Sequence, residues 1–448
     1  MKTVITYGVF DLFHEGHARL LERAKQLGDR LIVGVTTDQY AVRRGKLSVV
    51  DPLEVRMENV RRCPWVDQVI VEDHPGQKAE DIRRYQVDVL AMGDDWLGKF
   101  DVLQPLCEVV YLPRTPKVSS SLLRNSRLPY VSVGIIGAGR IAERFVREAG
   151  YVKGLQIEYV YHPRPDSSAS LQKFLAAHTS IAKTRTLEKL FDQTNAVYIA
   201  APHASHYFYA KAALEAGKHV LCEKPLCLNR EEAEELFALA EIKGLVLMEA
   251  IKTAYCPGFL QLCSIVQSGF IGEIVNVQST FTRLTPPGCR EWTDLRCGGS
   301  FTELGSYILL PIVKLLGTDV TNVRFQSVCN EDGLDLFTKI YARGDRALAG
   351  GCCGLGAKSE GDLIISGTRG YLYAEAPWWK TQHFEIRAED PSSRKHFTDV
   401  FEGDGLRYEI ADFFYRIQGH PGRDERLTPK ESIWMAGVME QFLREQKR

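Results

Sequence analysis

Short apolar runs separated by amphipathic stretches repeat along the first quarter of the 448-residue chain. Residues 4–8, 31–35, 69–71, 87–92 and 109–112 predict strands. Between the first two, residues 17–27 place Leu20, Leu21, Ala24 and Leu27 on one helical face, with Gly28 as the stop. That alternation predicts a doubly wound parallel sheet. The polar segment Asn125-Ser126-Arg127-Leu128-Pro129 ends in proline and predicts a boundary. A second alternation then begins, with strands expected at 131–136, 157–161, 196–200 and 219–222 and helices between them. Beyond residue 249 the rhythm changes. Residues 274–283, 320–328, 336–342, 347–352 and 362–366 are strand-like with few helices between, which predicts an open, mainly antiparallel sheet. The expected fold class is α/β: a Rossmann-like domain at 1–126, a second Rossmann domain at 130–250, and an α+β domain at 251–448.

Charge is balanced, 56 Lys+Arg against 57 Asp+Glu, which argues against nucleic acid or an acidic membrane surface as partner. The first strand begins at once, with no apolar signal core before it. The longest apolar stretches, such as residues 308–312, fall far short of the roughly 18 residues that span a bilayer. A soluble cytoplasmic protein is expected. The eleven cysteines include no C-x-x-C pair, and Cys352 and Cys353 are adjacent. Zinc-site spacing is therefore absent, and scattered thiols in a reducing compartment are the simpler account.

The first apolar run leads through Gly8-Val9-Phe10-Asp11 into His14-Glu15-Gly16-His17. A strand, a turn and a helix set helix N-terminal amides at the strand's carboxyl end, where phosphates bind. Two imidazoles one turn apart there can donate to phosphate oxygens, and Gly16 leaves room for close approach of a nucleotide. Such a site stabilises charge developing on an α-phosphate and needs no covalent step. The bland alternative is a pair of surface histidines at a helix start.

Together with residues 20–29 (LLERAKQLGD), 92–100 (MGDDWLGKF) and 109–115 (VVYLPRT), this opening resembles the glycerol-3-phosphate cytidylyltransferases across residues 1–124. The resemblance implies cytidylyl transfer from CTP, with Mg2+, onto a polyol phosphate and release of pyrophosphate. It implies that His14 and His17 contact the phosphates, and that Arg114, Thr115, Ser119 and Ser120 close over the triphosphate. Arg44 and Lys46 would reach the phosphates of one or both substrates. Gly8, Val9, Phe10 and Gly16 would line the nucleotide, Asp94 and Trp96 would meet cytidine or acceptor, and Asp11 would hold the metal through oxygen, as Mg2+ prefers. Val9 stands where threonine is usual, Arg44 where lysine is, and Lys117 where glycine is. A planar guanidinium is not equivalent to an ammonium at a phosphate, so these departures leave the acceptor open.

The second opening, Gly137-Ala138-Gly139-Arg140-Ile141-Ala142, follows one strand and precedes a helix, the context in which glycines admit a dinucleotide pyrophosphate. The next strand ends at His162-Pro163-Arg164 and carries no acid for a ribose hydroxyl. His162 and Arg164 can meet a 2′-phosphate instead, which favours NADP(H) over NAD(H). Residues 196–206 (AVYIAAPHASH), 216–225 (AGKHVLCEKP), 248–250 (MEA), 298–307 (GGSFTELGSY), 365–370 (ISGTRG) and 406–413 (LRYEIADF) extend the pattern. Across 131–448 they resemble the glucose-fructose oxidoreductase/inositol dehydrogenase family, and within it dihydrodiol-dehydrogenase-like members.

That resemblance implies that Lys224 anchors or protonates a carbonyl becoming an alkoxide. It implies that Tyr307 is the proton donor, with the lysine lowering its pKa, and that Glu303 takes a place usually held by aspartate. Ala201, His206 and Glu223 would border the cofactor. Three other features invite bland readings: Trp378-Trp379 as packing, the acidic run 230–236 as a solvated helix face, and Cys222 as core. The combined expectation is a bifunctional enzyme making a CDP-activated polyol from small sugar or polyol phosphates, as a homodimer or higher homo-oligomer. Two alternatives stay open. The reductase acts after activation, on a CDP-linked carbonyl, or the second half only binds a dinucleotide and regulates or scaffolds the transferase.

Overall fold

The computed structural model describes residues 2–43, 49, 51–74, 76–113, 130–164, 166–419 and 426–446. The expected boundary at residues 125–129 lies outside the described residues, as do Arg44, Lys46, Arg114, Thr115, Lys117, Ser119 and Ser120. The chain forms two compact units, Met1–Tyr130 with Tyr151–Gly154, and Val131–Gly150 with Leu155–Arg448.

In the first unit, β1 (Thr3–Gly8), β2 (Arg30–Thr36), β3 (Gln68–Glu72), β4 (Val89–Gly93) and β5 (Glu108–Leu112) form a parallel sheet of order β3-β2-β1-β4-β5. Side chains alternate across a strand, and both faces are covered here. Val4, Leu31, Val33 and Val89 enter one core, while Ile5, Tyr7, Ile32 and Leu90 enter another. Continuous apolar runs are what such a doubly covered sheet requires. The first helix, Glu15–Lys25, buries Leu21 and Ala24. It starts two residues earlier than apolar spacing predicts, because the His14 side chain caps it by accepting from the Gly16 amide.

The second unit opens with β6 (Val131–Ile136), β7 (Leu155–Tyr161), β8 (Ala182–Thr184), β9 (Ala196–Ile199), β10 (His219–Glu223) and β11 (Leu247–Ala250), in the order β11-β10-β9-β6-β7-β8. An eight-stranded sheet follows, built from β12 (Ile274–Thr282), β13 (Thr321–Cys329), β14 (Asp335–Arg343), β15 (Leu348–Gly354), β16 (Leu363–Gly367), β17 (Gly370–Ala374), β18 (His383–Arg387) and β19 (Lys395–Thr398). Its order is β13-β14-β15-β12-β16-β17-β18-β19, antiparallel except for the β12–β15 pair. The helix Ser300–Leu316 packs on β12, β14 and β15 and carries Glu303 and Tyr307.

Strand order places the sites. Each parallel sheet reverses its direction of growth once, between β1 and β4 in the first and between β6 and β9 in the second. The crevice outside the carboxyl ends at such a reversal is where open α/β sheets bind ligands. Among the described residues no helix is long and apolar enough to cross a membrane, and no group of three or more metal-ligating side chains is found. All eleven cysteines are free, and most are buried.

Candidate active sites

At the β1–β4 reversal, the chain leaves β1 through Phe10 and Leu12, both in the left-handed region at φ 52° and 47°. Such residues cost about 1–3 kcal/mol each, so something must hold the loop. Asp51 and Arg56 do. The Asp51 carboxylate accepts from the Leu12 amide at 3.1 Å, while the Asp51 amide donates to Asp11 Oδ1 at 2.9 Å. The Arg56 side chain, wholly buried, donates to the carbonyls of Val9 (2.7 Å), Thr36 (2.8 Å) and Asp51 (2.9 Å), and pairs with Asp38. One guanidinium thus ties the ends of β1 and β2 to the loop that carries Asp51. Neither Asp51 nor Arg56 belongs to the histidine motif, and sequence reasoning missed both.

His14 and His17 come together at the start of the helix. Their rings stack at 3.9 Å between centroids and 16° between planes, and His17 meets the edge of Phe10 at 5.4 Å. His14 Nδ1 accepts from the Gly16 amide at 3.0 Å, which places the imidazole proton on Nε2. Burial also pushes the His14 pKa below its ordinary value, so the ring is a neutral Nε2–H donor. Gly8 lies against the Phe10 ring; a Cβ there would stand 3.0 Å from it. Asp94 and Trp96 form a tight turn directly after β4, at the same carboxyl edge. Trp96 sits beside Phe100 and under the Lys99 ammonium. Asp11 is buried. A magnesium in a nucleotide site takes one or two carboxylates and fills its shell with phosphate oxygens and water, so a single carboxylate at this place fits one.

At the β6–β9 reversal, Gly137 has φ 104° and runs so close to β9 that a Cβ would stand 2.4 Å from the Ala200 carbonyl. Only glycine fits. Gly139 caps the helix Arg140–Ala149 without a side chain, and a Cβ built on it would point into open space. The helix amides therefore face an open volume, as a pyrophosphate needs. Ile141 is half-buried in the first turn, and Arg140 donates to Glu291 at 2.5 Å. At the end of β7, His162 Nδ1 accepts from the Arg164 amide and its Nε2 lies 3.3 Å from the Ser168 hydroxyl. Arg164 is exposed. His206 is fully buried, with its ring nitrogens 2.8 Å from the Pro225 carbonyl and 2.9 Å from that of Ala201. It pins the loop after β9 to the segment after β10.

Lys224 follows β10. Its Nζ donates to the Glu303 carbonyl at 2.7 Å and lies 3.5 Å from Glu303 Oε1. The other carboxylate oxygen faces His203 Nε2 at 3.4 Å and Arg290 at 3.8 Å. Burial opposes the Glu303 charge, but Lys224, Arg283 and Arg290 outweigh it and hold the carboxyl below its usual range. The same burial and cations keep His203 neutral, well below its ordinary pKa. Glu223 accepts from the Tyr198 hydroxyl at 2.6 Å, and burial raises its pKa.

Tyr307 stands one turn beyond Glu303 and is enclosed by Phe281, 4.9 Å away, which in turn stacks on Trp379 at 3.7 Å. Burial first, then the fields of Glu223, Glu409 and Glu303, raise the Tyr307 pKa. Burial is the largest of these, and the phenol keeps its proton. Of the tryptophans, Trp378 is fully buried and donates to the Thr280 carbonyl. Trp378 is therefore packing, while Trp379 helps wall the site. Cys222 is core, and the run 230–236 turns Ala233 and Leu236 inward with Glu231, Glu234 and Glu235 exposed. His203, Arg283, Arg290 and Glu291 were not singled out from sequence.

Comparison with known proteins divides the chain at the same place. Residues 5–126 match the cytidylyltransferase-like family. Glycerol-3-phosphate cytidylyltransferase of Bacillus subtilis (strain 168) is 48% identical over 126 residues, 28% of this chain and 95% of that protein. The chain belongs to the cytidylyltransferases. Residues 131–251 match an oxidoreductase family with an NAD-binding Rossmann fold. Trans-1,2-dihydrobenzene-1,2-diol dehydrogenase of Sus scrofa is 26% identical over 320 residues, 69% of this chain and 94% of that enzyme. The oxidoreductase unit also shares its fold with a 3-ketoreductase from Actinomadura kijaniata, solved with TDP-benzene and NADP. The TM-score is 0.60 at 23% identity, covering 69% of this chain and 96% of that one. One chain thus carries a cytidylyltransferase domain and an oxidoreductase domain.

Proposed function

We propose that the chain makes a CDP-activated polyol in two steps. The oxidoreductase unit reduces a keto- or aldo-sugar phosphate with NADPH, and the cytidylyltransferase unit couples the resulting polyol phosphate to CTP. The single observation that carries this reading is the stacked His14–His17 pair at a helix start beside the β1–β4 reversal. In the transfer, a phosphate oxygen of the polyol phosphate attacks the α-phosphorus of CTP in line, a P–O bond forms, and the bond to the departing pyrophosphate breaks. Neutral His14 donates from Nε2 and His17 donates beside it, so both stabilise the charge that spreads over the α-phosphate oxygens. Arg114, Ser119, Ser120, Arg44 and Lys46 are assigned to the triphosphate by family resemblance.

For the reduction, the Gly137–Ile141 turn, with His162 and Arg164 at the ribose phosphate, holds a dinucleotide that supplies hydride when bound. Lys224 orients the substrate carbonyl through its oxygen. Tyr307, held protonated, delivers the proton that turns the nascent alkoxide into an alcohol. Glu303 fixes the lysine, and His203 stays a neutral neighbour. CDP-glycerol or CDP-ribitol type products suit surface-polysaccharide synthesis, and a homodimer is the assembly that both families suggest.

A screen of polyol phosphates with CTP and Mg2+, reading pyrophosphate release, tests the transferase assignment. Release with at least one polyol phosphate, lowered by about 100-fold or more in His17→Ala, is the expected outcome. A His17→Ala chain that keeps the full rate overturns it.

A further inference from the structure

Four cations and two carboxylates meet beside Lys224. Glu303 faces Lys224 and Arg290, while Glu291, 4% exposed, accepts from Arg140 and lies 3.7 Å from Arg283 Nη2. Despite burial, Asp294 is held below its usual range by its hydrogen bonds and by the Arg290 charge. It is a third carboxylate here, so four positive charges face three negative ones. Glu223 does not close the gap, because burial drives it towards its neutral form. Arg140 opens the helix after Gly139, where the dinucleotide pyrophosphate is placed in the reading above.

Arg283 and Arg290 have no such explanation. Each side chain is about two-fifths exposed, at 42% and 41%, so both are open to solvent. Arg283 Nε donates to the Thr285 hydroxyl at 3.3 Å, yet its Nη2 is buried and makes no hydrogen bond. A buried donor without an acceptor costs about 1–3 kcal/mol. Arg290 stands 3.8 Å from Glu303, too far to donate to it. Both guanidiniums therefore keep donor capacity close to Glu303, the carboxylate that faces Lys224. Sugar hydroxyls do not call for two planar cationic forks; a phosphate does, because its oxygens match the paired donors of a guanidinium. A single carboxylate separates the Lys224 ammonium from Arg290, so a carbonyl at one and a phosphate at the other fit a single small molecule.

We propose that Arg283 and Arg290 form a phosphate subsite in the oxidoreductase unit, which selects a sugar phosphomonoester over the uncharged sugar and over a nucleotide-linked one. This rests on the reading of Lys224 and Tyr307 as the reduction site. The test uses the full chain, NADPH, and dihydroxyacetone phosphate or ribulose 5-phosphate against their dephosphorylated forms. Wild type is compared with Arg283→Gln, Arg290→Gln, the double variant and Arg290→Lys. The ratio of kcat/KM for phosphorylated over dephosphorylated substrate should fall about 100-fold in the double variant. KM should carry the change, and Arg290→Lys should recover part of it. NADPH affinity measured alongside reports whether each variant is folded.

An unchanged ratio overturns the subsite and leaves the reduction reading standing, as does a wild type that prefers the dephosphorylated or a CDP-linked carbonyl. Should wild type oxidise NADPH with none of these carbonyls, the reduction reading fails, and calorimetry of the same two phosphates decides the subsite. One binding event present in wild type and lost in the double variant supports it; identical titrations overturn it.

Discussion

His14 shows how one hydrogen bond sets the place of an imidazole proton. By accepting from the Gly16 amide it keeps its own proton on Nε2, and burial keeps the ring neutral. On the other unit, the proposed function divides the work between Lys224, which orients, and Tyr307, which delivers the proton. Tyr307→Phe should lower NADPH oxidation by about 100-fold or more and leave pyrophosphate release at the wild-type rate; loss of both activities together would contradict that division. Glu249, at the end of β11, gives a separate test. Burial pushes its carboxyl up from 4.5 to about 7. A folded-state pKa above the unfolded one means the folded chain holds the proton more tightly. Its stabilisation is full below the unfolded pKa and is lost as pH rises through 7, at about 1.4 kcal/mol per pH unit within that window. Glu249→Gln should therefore gain melting temperature relative to wild type from pH 5 to pH 8. A difference that stays constant over that range would rule the account out.

At the scale of elements, what sequence revealed followed from periodicity and from local motifs. Most strands of both parallel sheets were legible because burial on both faces leaves continuous apolar runs, as in VITYG and VSVGII. The glycine loop was legible because strand, glycines and helix follow one another directly in sequence, although the Ala200 carbonyl that Gly137 must pass lies far along the chain. Strands β8, β11, β17, β18 and β19 were not, since β8 and β19 are short and largely exposed, β11 is only four residues long, and β17 and β18 alternate around a sheet face that sequence does not locate. Helix caps shifted the first helix by two residues for the same local reason that fixes His14.

Site residues that act through distant contacts were silent. Arg56 reads as one more charge on a surface helix, yet it is fully buried and holds three carbonyls. Arg56→Met should destabilise the first unit by about 3–5 kcal/mol, seen as an earlier thermal transition and slower pyrophosphate release. A melting profile equal to wild type would mean the loop is held by other contacts. Gly137→Ala should reduce NADPH affinity at least about tenfold, read by nucleotide fluorescence, because a positive φ and a backbone collision both oppose the methyl group.

On the scale of the whole molecule, two Rossmann-type sheets reverse once each, and each reversal carries a different chemistry. In the function proposed above, the first stabilises charge on a phosphate and the second charge on a carbonyl oxygen. Joining them on one chain has a natural logic if the alcohol made at Lys224 and Tyr307 is the phosphorylated alcohol that His14 and His17 activate. That order is the central claim, and it is tested most directly by following NADPH absorbance in a single turnover with ketose phosphates, with and without CTP. The account predicts oxidation that needs no CTP. Oxidation that begins only after CTP is added would place reduction second, and no oxidation with any ketose phosphate under either condition would leave the second unit a dinucleotide-binding scaffold.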